Sequence, residues 1–383
     1  MNLYDVYSLY DLTPVRGQGS YIYDEQGTKY LDFYGGHAVI SVGHSHPHYV
    51  KMISEQLQQL GFYSNSIVNP LQREFADKLE ALSGVEGYEL FFINSGAEAN
   101  DNALKLASFH NGRTKIIALK NSFHGRTSAA INVTHTGQKY QAPINHGADV
   151  MYYHYEDIDG IINEINQGDA AAIIIEAIQG IGGLDCISTQ ALKEIAAACQ
   201  KTDTILIMDE IQCGYARSGD FFGYQVADIQ PDIITTAKGM GNGFPIGSVL
   251  INSKKIPAAK SRLGTTFGGN HLACAAGIAV LDIIKNEKLM NNAARIGAKL
   301  KTLLEDLPGV TKVKGRGLMI GAEFDFSVVD LRKRLIFEHK LFTGSSVNKN
   351  LLRILPALNI NENHLDEFES KMKQALSQQI VLT

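Results

Sequence analysis

The chain has 383 residues, of which 45% are hydrophobic and 20% charged, with 36 glycines and 9 prolines. This composition is typical of a globular α/β enzyme and argues against disordered and fibrous classes. The net charge of -5 and the lack of a basic run argue against a nucleic-acid partner. No apolar segment approaches the ~18 residues of a membrane span, and no signal-peptide pattern is present, so we expect no membrane partner and a cytoplasmic location.

The cysteines and histidines give no metal signal. The cysteines lack a Cys-x-x-Cys spacing and are Cys186, Cys199, Cys213 and Cys274. His44, His46 and His48 alternate along the chain, but Pro47 breaks a strand there and no carboxylate or cysteine completes a ligand set. We therefore expect reduced, mostly buried thiols and no metal ion.

Local patterns predict the order of helices and strands. Two alternating runs around an Asp-Glu-Gln-Gly turn predict a hairpin within residues 14–34. Farther along the chain buried strands alternate with helices, which predicts an α/β fold with a mainly parallel sheet and ligands at its strand C-termini. Helices are expected over 49–60, 70–82 and 287–306, and strands over 248–252, 313–324 and 351–356.

The stretch from residue 205 to 238 carries the strongest chemical signal. Two short apolar runs, each bounded by turn residues, present Asp209 and Lys238 at their C-terminal edges. A buried lysine beside a buried carboxylate suits pyridoxal phosphate, because the amine condenses with the aldehyde and the aspartate balances a protonated ring nitrogen. The alternative is that Asp209 ends a core strand and Lys238 is a solvated loop residue.

Residues 89–110 predict an anion site. A short buried strand is followed by the small-residue turn at Ser95 and then by a helix, whose free N–H groups and dipole favour a phosphate. The alternative is that Ser95 is an ordinary helix cap.

Other polar residues also follow predicted strands. Phe123 could cover a flat ring and Arg126 could bind a carboxylate through both of its terminal nitrogens. The alternative is that Phe123 is an ordinary core residue and Arg126 an ordinary surface residue. Glu176 ends another buried strand, and Thr265 and Thr266 offer two hydroxyls for a phosphate. The Walker A loop, the GxGxxG fingerprint, the GxSxG elbow and the HExxH motif are all missing, which argues against nucleotide, hydrolase and zincin chemistry.

Taken together, the motifs resemble those of class III (subgroup II) aminotransferases, in order and spacing, over nearly the whole chain. The segments that carry this resemblance are 94–100 (NSGAEAN), 123–127 (FHGRT), 209–214 (DEIQCG), 237–241 (AKGMG) and 265–270 (TTFGGN). Within that family, segment 14–20 and the compact length are most similar to the acetylornithine aminotransferases of arginine biosynthesis.

The resemblance implies a fold and an assembly. The fold is that of fold type I transferases, with a mainly parallel seven-stranded sheet flanked by helices and a smaller α+β domain. We expect residues 1–48 to join the small domain, residues 49–275 to form the large cofactor-binding domain, and residues 276–383 to complete the small domain. The resemblance also implies a homodimer with active sites at the subunit interface.

The resemblance assigns the cofactor residues. Lys238 is expected to bond the cofactor aldehyde and later to carry the substrate proton, and Asp209 to hold the ring N–H. Independently, Lys238 must be neutral to act as a base, and burial near other cations lowers a lysine pKa. The residues implied to sandwich the ring, bond its phenolic oxygen or bind its phosphate are Phe123, Ile211, Gln212, Ser95, Gly96, Ala97 and, from the other subunit, Thr266.

The resemblance also assigns the substrate residues. Arg126 is expected to bind the α-carboxylate of an acylated ornithine and the γ-carboxylate of glutamate, and Arg353 the α-carboxylate of glutamate. Glu176 is expected to support the substrate site. Two arginines at different distances from the reacting carbon let one pocket accept both an ω-amine and a five-carbon diacid, as ping-pong transamination requires.

Two departures from the family pattern leave the substrate open. Ile181 stands where a glutamate commonly masks the second arginine, and His37 stands where an apolar or tyrosyl residue is usual. His37 could donate a hydrogen bond or, if charged, meet an extra carboxylate. We therefore hypothesise that N-succinylornithine competes with N-acetylornithine. The alternatives are an ornithine, 4-aminobutyrate or diamine aminotransferase, or a non-catalytic pyridoxal phosphate-binding protein.

Overall fold

The computed structural model describes residues 1–380. The predicted C-terminal domain extends to residue 383, and its last three residues lie outside the described part. None of the helices within residues 1–380 combines the length and the apolar character needed to cross a membrane.

A seven-stranded sheet forms the centre of the molecule. In spatial order its strands are Tyr88–Ile93, Gly247–Asn252, Ile233–Thr236, Ile205–Asp209, Ala170–Ile175, Lys115–Leu119 and Val150–Tyr153. Neighbouring strands are parallel, except that Gly247–Asn252 runs antiparallel to the strand on each side of it. The predicted α/β class and mainly parallel sheet are confirmed.

The central strands are apolar on both faces because each face is covered. Along Ile205–Asp209, Leu206 and Met208 belong to one apolar cluster, whereas Ile205 and Ile207 belong to another. This is the alternation that strand geometry imposes, and it explains the uninterrupted apolar runs in the sequence. The helices that precede or flank these strands are Pro47–Gln59, Pro70–Ser83, Gly96–Asn111, Ser128–Asn132, Ile158–Asn166, Thr189–Thr202 and His271–Asn286.

Two smaller sheets lie outside the central one. The first contains Pro14–Gln18, Tyr21–Asp24 and Lys29–Asp32 with the distant strand Leu341–Phe342, and the second contains Val310–Arg316, Met319–Phe324 and Leu351–Ile354. The antiparallel pairing of the second and third of these strands confirms the predicted hairpin. The remaining helices are the short left-handed Gly35–Ala38 and the longer Leu289–Glu305, Val329–Phe337 and Glu362–Ile380. Short 3₁₀ turns lie at His135–Tyr140, Pro143–Asn145, Gly223–Ala227 and Lys238–Met240.

One predicted strand is wrong, and one boundary stays a prediction. Residues 313–324 form parts of two antiparallel strands rather than one, because Gly317 turns the chain with φ 59°. The predicted domain boundary at residue 275 falls within the helix His271–Asn286. The shared first sheet shows that the N-terminal and C-terminal segments pack together.

Candidate active site

A cavity of about 360 Å³ lies where the central parallel strands end. Most of the predicted site residues line it: Ser95, Gly96, Ala97, Phe123, Arg126, Glu176, Asp209, Ile211, Gln212 and Lys238. Two larger cavities, of about 770 and 640 Å³, are lined by other parts of the chain. Ligands of open α/β sheets collect at the C-terminal ends of the strands, so the smaller cavity is the candidate active site.

Lys238 forms part of the cavity wall and is partly buried. It follows the strand Ile233–Thr236 and adopts φ 46°, a left-handed conformation that is uncommon outside glycine and often found at functional sites. Burial lowers the pKa of Lys238 and Arg353 lowers it further, while the carboxylates of Asp209 and Glu176 oppose the change. Lys238 is therefore not a solvated loop residue, as the alternative interpretation required.

Asp209 is held by a buried network at the same end of the sheet. Its Oδ2 accepts from Asn100 Nδ2 at 2.8 Å and lies 2.7 Å from His124 Nδ1, and its Oδ1 accepts from the backbone N–H of Ile211 at 3.0 Å. Thr235 donates in turn to Asn100 Oδ1 at 2.8 Å. Three donors on one carboxylate stabilise its negative charge and fix its direction.

The helix Gly96–Asn111 begins with a complete capping box. Ser95 Oγ accepts from the N–H of Glu98 at 3.3 Å, and the Glu98 carboxylate accepts from the N–H groups of Asn94 and Ser95. The N–H groups of Gly96 and Ala97 have no hydrogen-bond partner within residues 1–380. Ser95 is thus a helix cap, and the two free N–H groups beside it suit the phosphate of the cofactor.

Phe123 and Ile211 both line the cavity and bound a slot for a flat ring. A side chain at Gly96 would come within 2.8 Å of Ile211 Cγ2, so glycine is what lets the helix start approach this slot. Glu176 Oε1 accepts from the N–H of Phe123 at 3.0 Å and its Oε2 from the N–H of Gly180 at 2.8 Å. Its carboxylate thus holds the backbone of Phe123 and Gly180 at the edge of the cavity. Burial raises the pKa of Glu176.

Arg126 lies on the cavity wall and is exposed. Its guanidinium carbon is 4.8 Å from the centre of the Tyr140 ring, within cation–π range. Within residues 1–380 no carboxylate oxygen lies within 4.0 Å of it. Arg126 is therefore held by an aromatic side chain and free to bind a carboxylate.

Arg353 and His37 do not line the cavity but contact Gln212, which does. Arg353 is 1% exposed and donates to Ser345 O at 2.5 Å and to Gln212 Oε1 at 3.2 Å. Gln212 Nε2 donates in turn to His37 O at 3.1 Å. Burial lowers the pKa of Arg353 to about 10, so the guanidinium is still charged at neutral pH.

His37 sits in a left-handed turn in which residues 35–38 all have positive φ. His37 and Ala38 adopt φ of 68° and 62°, a conformation that costs about 1–2 kcal/mol for a residue with a Cβ. Asp32 Oδ1 holds the turn by accepting from the N–H groups of Tyr34 and Gly35. Burial lowers the pKa of His37 to about 4, with contributions from nearby cations, so the imidazole is neutral at pH 7.

Thr266 is exposed and does not line the cavity of its own chain. Its loop packs on the segment before the helix Pro70–Ser83, where Phe62 and Phe267 have ring centroids 5.5 Å apart. The predicted contact of Thr266 with the phosphate of another subunit stays a prediction.

Sequence reasoning did not assign roles to His124, Asn100 or Thr235. All three are buried and point at or toward Asp209. The available signal was the placement of polar residues among apolar ones, since Asn100 lies on the buried face of its helix with Ala99 and Ala103. A buried polar residue on such a face needs a partner.

The cavity fits pyridoxal phosphate at each of its parts: two free N–H groups for the phosphate, a slot for the ring, a held carboxylate for the ring nitrogen and an amine of lowered pKa. These features define a pyridoxal phosphate-dependent enzyme.

Comparison with known proteins specifies the class. The chain matches the family described as "Aminotransferase class-III" over residues 5–376. It is 39% identical over 386 residues to the acetylornithine aminotransferase of Bacillus subtilis, covering 98% of each chain. It is 38% identical over 373 residues to that of Aquifex aeolicus, covering 94% of this chain and 96% of the relative. The chain belongs to the class III aminotransferases and is an aminotransferase that uses pyridoxal phosphate.

Solved structures give the same fold. The ornithine aminotransferase of Toxoplasma gondii superposes with a TM-score of 0.90 at 25% identity, covering 98% of this chain and 93% of that one. The acetylornithine aminotransferase of Elizabethkingia anophelis superposes with a TM-score of 0.83 at 29% identity, covering 97% and 95%.

Proposed function

We propose that this enzyme transfers the ω-amino group of an N-acylated ornithine, acetyl or succinyl, to 2-oxoglutarate in arginine biosynthesis. The observation that carries this proposal is the pair of arginines around Lys238: Arg126 at the cavity surface and the buried Arg353 both lack a carboxylate partner within residues 1–380. Curated relatives at 35–39% identity named acetylornithine aminotransferase support the acylornithine substrate.

The chain's own residues account for cofactor binding. When bound, pyridoxal phosphate supplies an aldehyde that captures amines and a ring that absorbs the electron pair left by the departing proton. The N–H groups of Gly96 and Ala97 would bind the phosphate, and Phe123 and Ile211 would hold the ring between them. Asp209 would pair with the ring nitrogen, because a carboxylate beside that nitrogen favours its protonated form.

Lys238 moves the proton during the reaction. Its lowered pKa leaves a larger share of the amine neutral at physiological pH, and only the neutral amine can accept a proton from the substrate carbon. The same amine can hold that proton at its Nζ for the return transfer, so that a single base serves both transfers. Its left-handed backbone directs the side chain from the strand end toward the cavity.

Arg126 and Arg353 let one site take both substrates in turn. Arg126 binds the α-carboxylate of the acylornithine and, in the other half-reaction, the γ-carboxylate of glutamate. Arg353 then binds the α-carboxylate of glutamate, exchanging its hydrogen bond to the neutral Gln212 for a charged one.

The active enzyme is a homodimer in this proposal. The support is the exposed loop around Thr266 together with the exposed rings of Phe62 and Phe267, which are 43% and 60% exposed. Large exposed aromatic side chains next to an active-site loop are typical of a surface that a partner covers. A second copy would then supply its Thr266 hydroxyl to the phosphate.

A second candidate is a class III enzyme that uses free ornithine, 4-aminobutyrate or a diamine. It is favoured by the apolar Ile181, whose carbonyl accepts from the N–H of Val347 in the loop beside Arg353. Position 181 therefore supplies no carboxylate to mask that arginine. A non-catalytic pyridoxal phosphate-binding protein is the remaining candidate.

Steady-state turnover separates these candidates. Purified enzyme is supplied with 2-oxoglutarate and one amine at a time, and the glutamate formed is measured. Our proposal predicts glutamate from an acylornithine at a kcat/KM at least about tenfold above that for the unacylated amines, a difference of about 1.4 kcal/mol in transition-state binding. Preference for an unacylated amine would support the second candidate, and no glutamate from any amine the third.

A further inference from the structure

A group of side chains beside Arg353 remains outside the chemistry described so far. It consists of Tyr10, Tyr34, His37 and Arg332, and we call it the rim cluster. Arg332 lies on the helix Val329–Phe337 and donates from Nε to the carbonyl of Thr343 at 2.8 Å and from Nη1 to the hydroxyl of Tyr10 at 3.2 Å. The rim cluster therefore joins the N-terminal segment to a helix near the C-terminus.

Aromatic rings hold the Arg332 guanidinium in place. Its central carbon lies 5.7 Å from the ring centre of Tyr10 and 5.9 Å from that of Tyr34, within cation–π range. Tyr10 in turn packs edge-on against Phe337, with ring centroids 5.7 Å apart. A guanidinium confined between two rings in this way is partly preorganised to bind a planar anion such as a carboxylate.

The rim cluster carries positive charge that no acid balances. Within residues 1–380, neither Arg332 nor Arg353 has a carboxylate oxygen within 4.0 Å, and Nη2 of Arg332 donates no hydrogen bond. The charge of Arg332 contributes to lowering the pKa of both Arg353 and His37, so the three groups share one electrostatic neighbourhood. Two cations at one site, neither in contact with a carboxylate within residues 1–380, repel each other in the free enzyme, and an anion that binds beside them offsets this cost.

His37 and Tyr34 complete the cluster with neutral polar groups. The Tyr34 hydroxyl lies 2.6 Å from Nδ1 of His37, and the left-handed turn fixes the imidazole beside it. The groups whose charges act on His37 are Arg353, Lys238 and Arg332, all of them cations. An arriving anion therefore meets a guanidinium and neutral hydrogen-bonding groups. Asp32, whose negative charge acts on Tyr34, already accepts from the N–H groups of Tyr34 and Gly35.

We propose that Tyr34, His37 and Arg332 bind a carboxylate at the far end of the substrate's acyl group. The substrate is then an ornithine whose acyl group is dicarboxylic, of which N-succinylornithine is the simplest test compound, rather than N-acetylornithine. This inference rests on the acylornithine activity proposed above.

The number of arginines at the site favours a dicarboxylic acyl group. Arg126 and Arg353 are already assigned to the carboxylates of glutamate, whereas Arg332 has no partner in either half-reaction. An acetyl group ends in a methyl, which gives a guanidinium and two hydrogen-bonding groups nothing to bind. A terminal carboxylate accepts from the guanidinium of Arg332 and from the one donor that the hydrogen-bonded pair of Tyr34 and His37 leaves free. Charge-assisted hydrogen bonds of this kind are among the strongest in proteins.

The test compares two variants on the same helix. Arg332→Gln removes the charge of the rim cluster, and Lys333→Gln makes the same change of net charge at an exposed neighbour outside it. For each variant, kcat/KM is measured with N-succinylornithine and with N-acetylornithine. We expect Arg332→Gln to lower the succinyl-to-acetyl ratio about 10- to 100-fold, the range for loss of one hydrogen bond to a charged group, and Lys333→Gln to leave the ratio within about twofold.

The variant Arg332→Lys distinguishes loss of the carboxylate contact from a general folding defect. It keeps the charge but loses the planar fork, so it should recover part of the ratio while Arg332→Gln does not. A general defect would lower kcat/KM for both acylornithines and for glutamate together, leaving the ratio unchanged, and that result overturns the inference.

The outcomes distinguish this inference from the proposed function. If the wild-type enzyme prefers N-acetylornithine and Arg332→Gln leaves the succinyl-to-acetyl ratio unchanged, the proposed carboxylate site is wrong. The proposed acylornithine aminotransferase activity would still hold. If neither acylornithine reacts but ornithine or 4-aminobutyrate does, both fail.

Discussion

Nδ1 of His124 lies 2.7 Å from Oδ2 of Asp209, and both side chains are buried. His124 lies in the loop after the strand Lys115–Leu119, and Asp209 ends the strand Ile205–Asp209. The contact therefore spans the strand Ala170–Ile175, which lies between these two in the sheet. Asn100 donates to the same oxygen from a helix. The direction of the carboxylate is thus set by three separate parts of the chain.

Replacing Asp209 by Ala should remove both the electron sink and part of the cofactor affinity. We expect kcat to fall by at least about 1,000-fold, because the ring nitrogen loses the charge that keeps it protonated. Single-turnover kinetics with cofactor in excess measure the rate, and equilibrium dialysis measures the affinity. A variant as active as wild type would show that another group holds the ring nitrogen.

His124→Asn tests whether His124 acts through Asp209. The change removes a hydrogen bond to a charged group, so cofactor affinity should fall about 10- to 100-fold. His146→Asn, at an exposed histidine, is the matched control and should bind cofactor like wild type. Equal affinity of the two variants would assign His124 a packing role alone.

Lys238→Ala should leave a protein that binds the cofactor yet turns over very slowly. We expect a loss of about four orders of magnitude or more in kcat, since no other amine among residues 1–380 lines the cavity. Retention of more than about a tenth of wild-type activity contradicts the assignment. The cofactor content of the purified variant, read from its absorbance after alkaline release, separates loss of chemistry from loss of binding.

Arg126→Ala should raise KM in both half-reactions together, by about 10- to 100-fold each, because the same guanidinium binds a carboxylate of either substrate. Arg353→Ala should raise KM mainly for glutamate and 2-oxoglutarate. Half-reactions followed separately with the acylornithine and with glutamate give both values. An Arg126 effect confined to one substrate would show that this arginine does not serve both.

The pH dependence of substrate choice tests His37. The pKa of its imidazole is about 4 in the free enzyme, and a bound carboxylate raises it, so binding takes up a proton. The KM for N-succinylornithine, relative to that for N-acetylornithine, should therefore fall as the pH decreases from 7.5 to about 5.5. His37→Asn cannot take up this proton, so its KM ratio should stay constant over the same range.

The sequence predicts the parts of the site that follow directly from local patterns. Asp209 and Lys238 stand at the ends of apolar runs, and parallel strands bring such ends to one edge of a sheet. The anion-binding turn at Ser95 is equally local, because a strand, small residues and a helix follow one another in the chain.

The rest depends on contacts between distant segments. His37 and Arg353 meet through Gln212, which requires the N-terminal turn and the second small sheet to pack beside the large one. No spacing in the sequence reveals the pairing of Thr235 with Asn100 or that of Arg332 with Tyr10, because each joins side chains more than a hundred residues apart. The pKa of His37 likewise depends on burial and on cations brought close by folding.

The most direct test of the account is a rapid-mixing absorbance measurement on the purified enzyme with its cofactor bound. The yellow absorbance is followed after mixing, in the absence of 2-oxoglutarate, with N-succinylornithine, N-acetylornithine, ornithine or 4-aminobutyrate. We expect an acylornithine to bleach the colour fastest and added 2-oxoglutarate to restore it. Bleaching by the unacylated amines alone would contradict the acylornithine substrate, and a protein without colour would contradict the cofactor site itself.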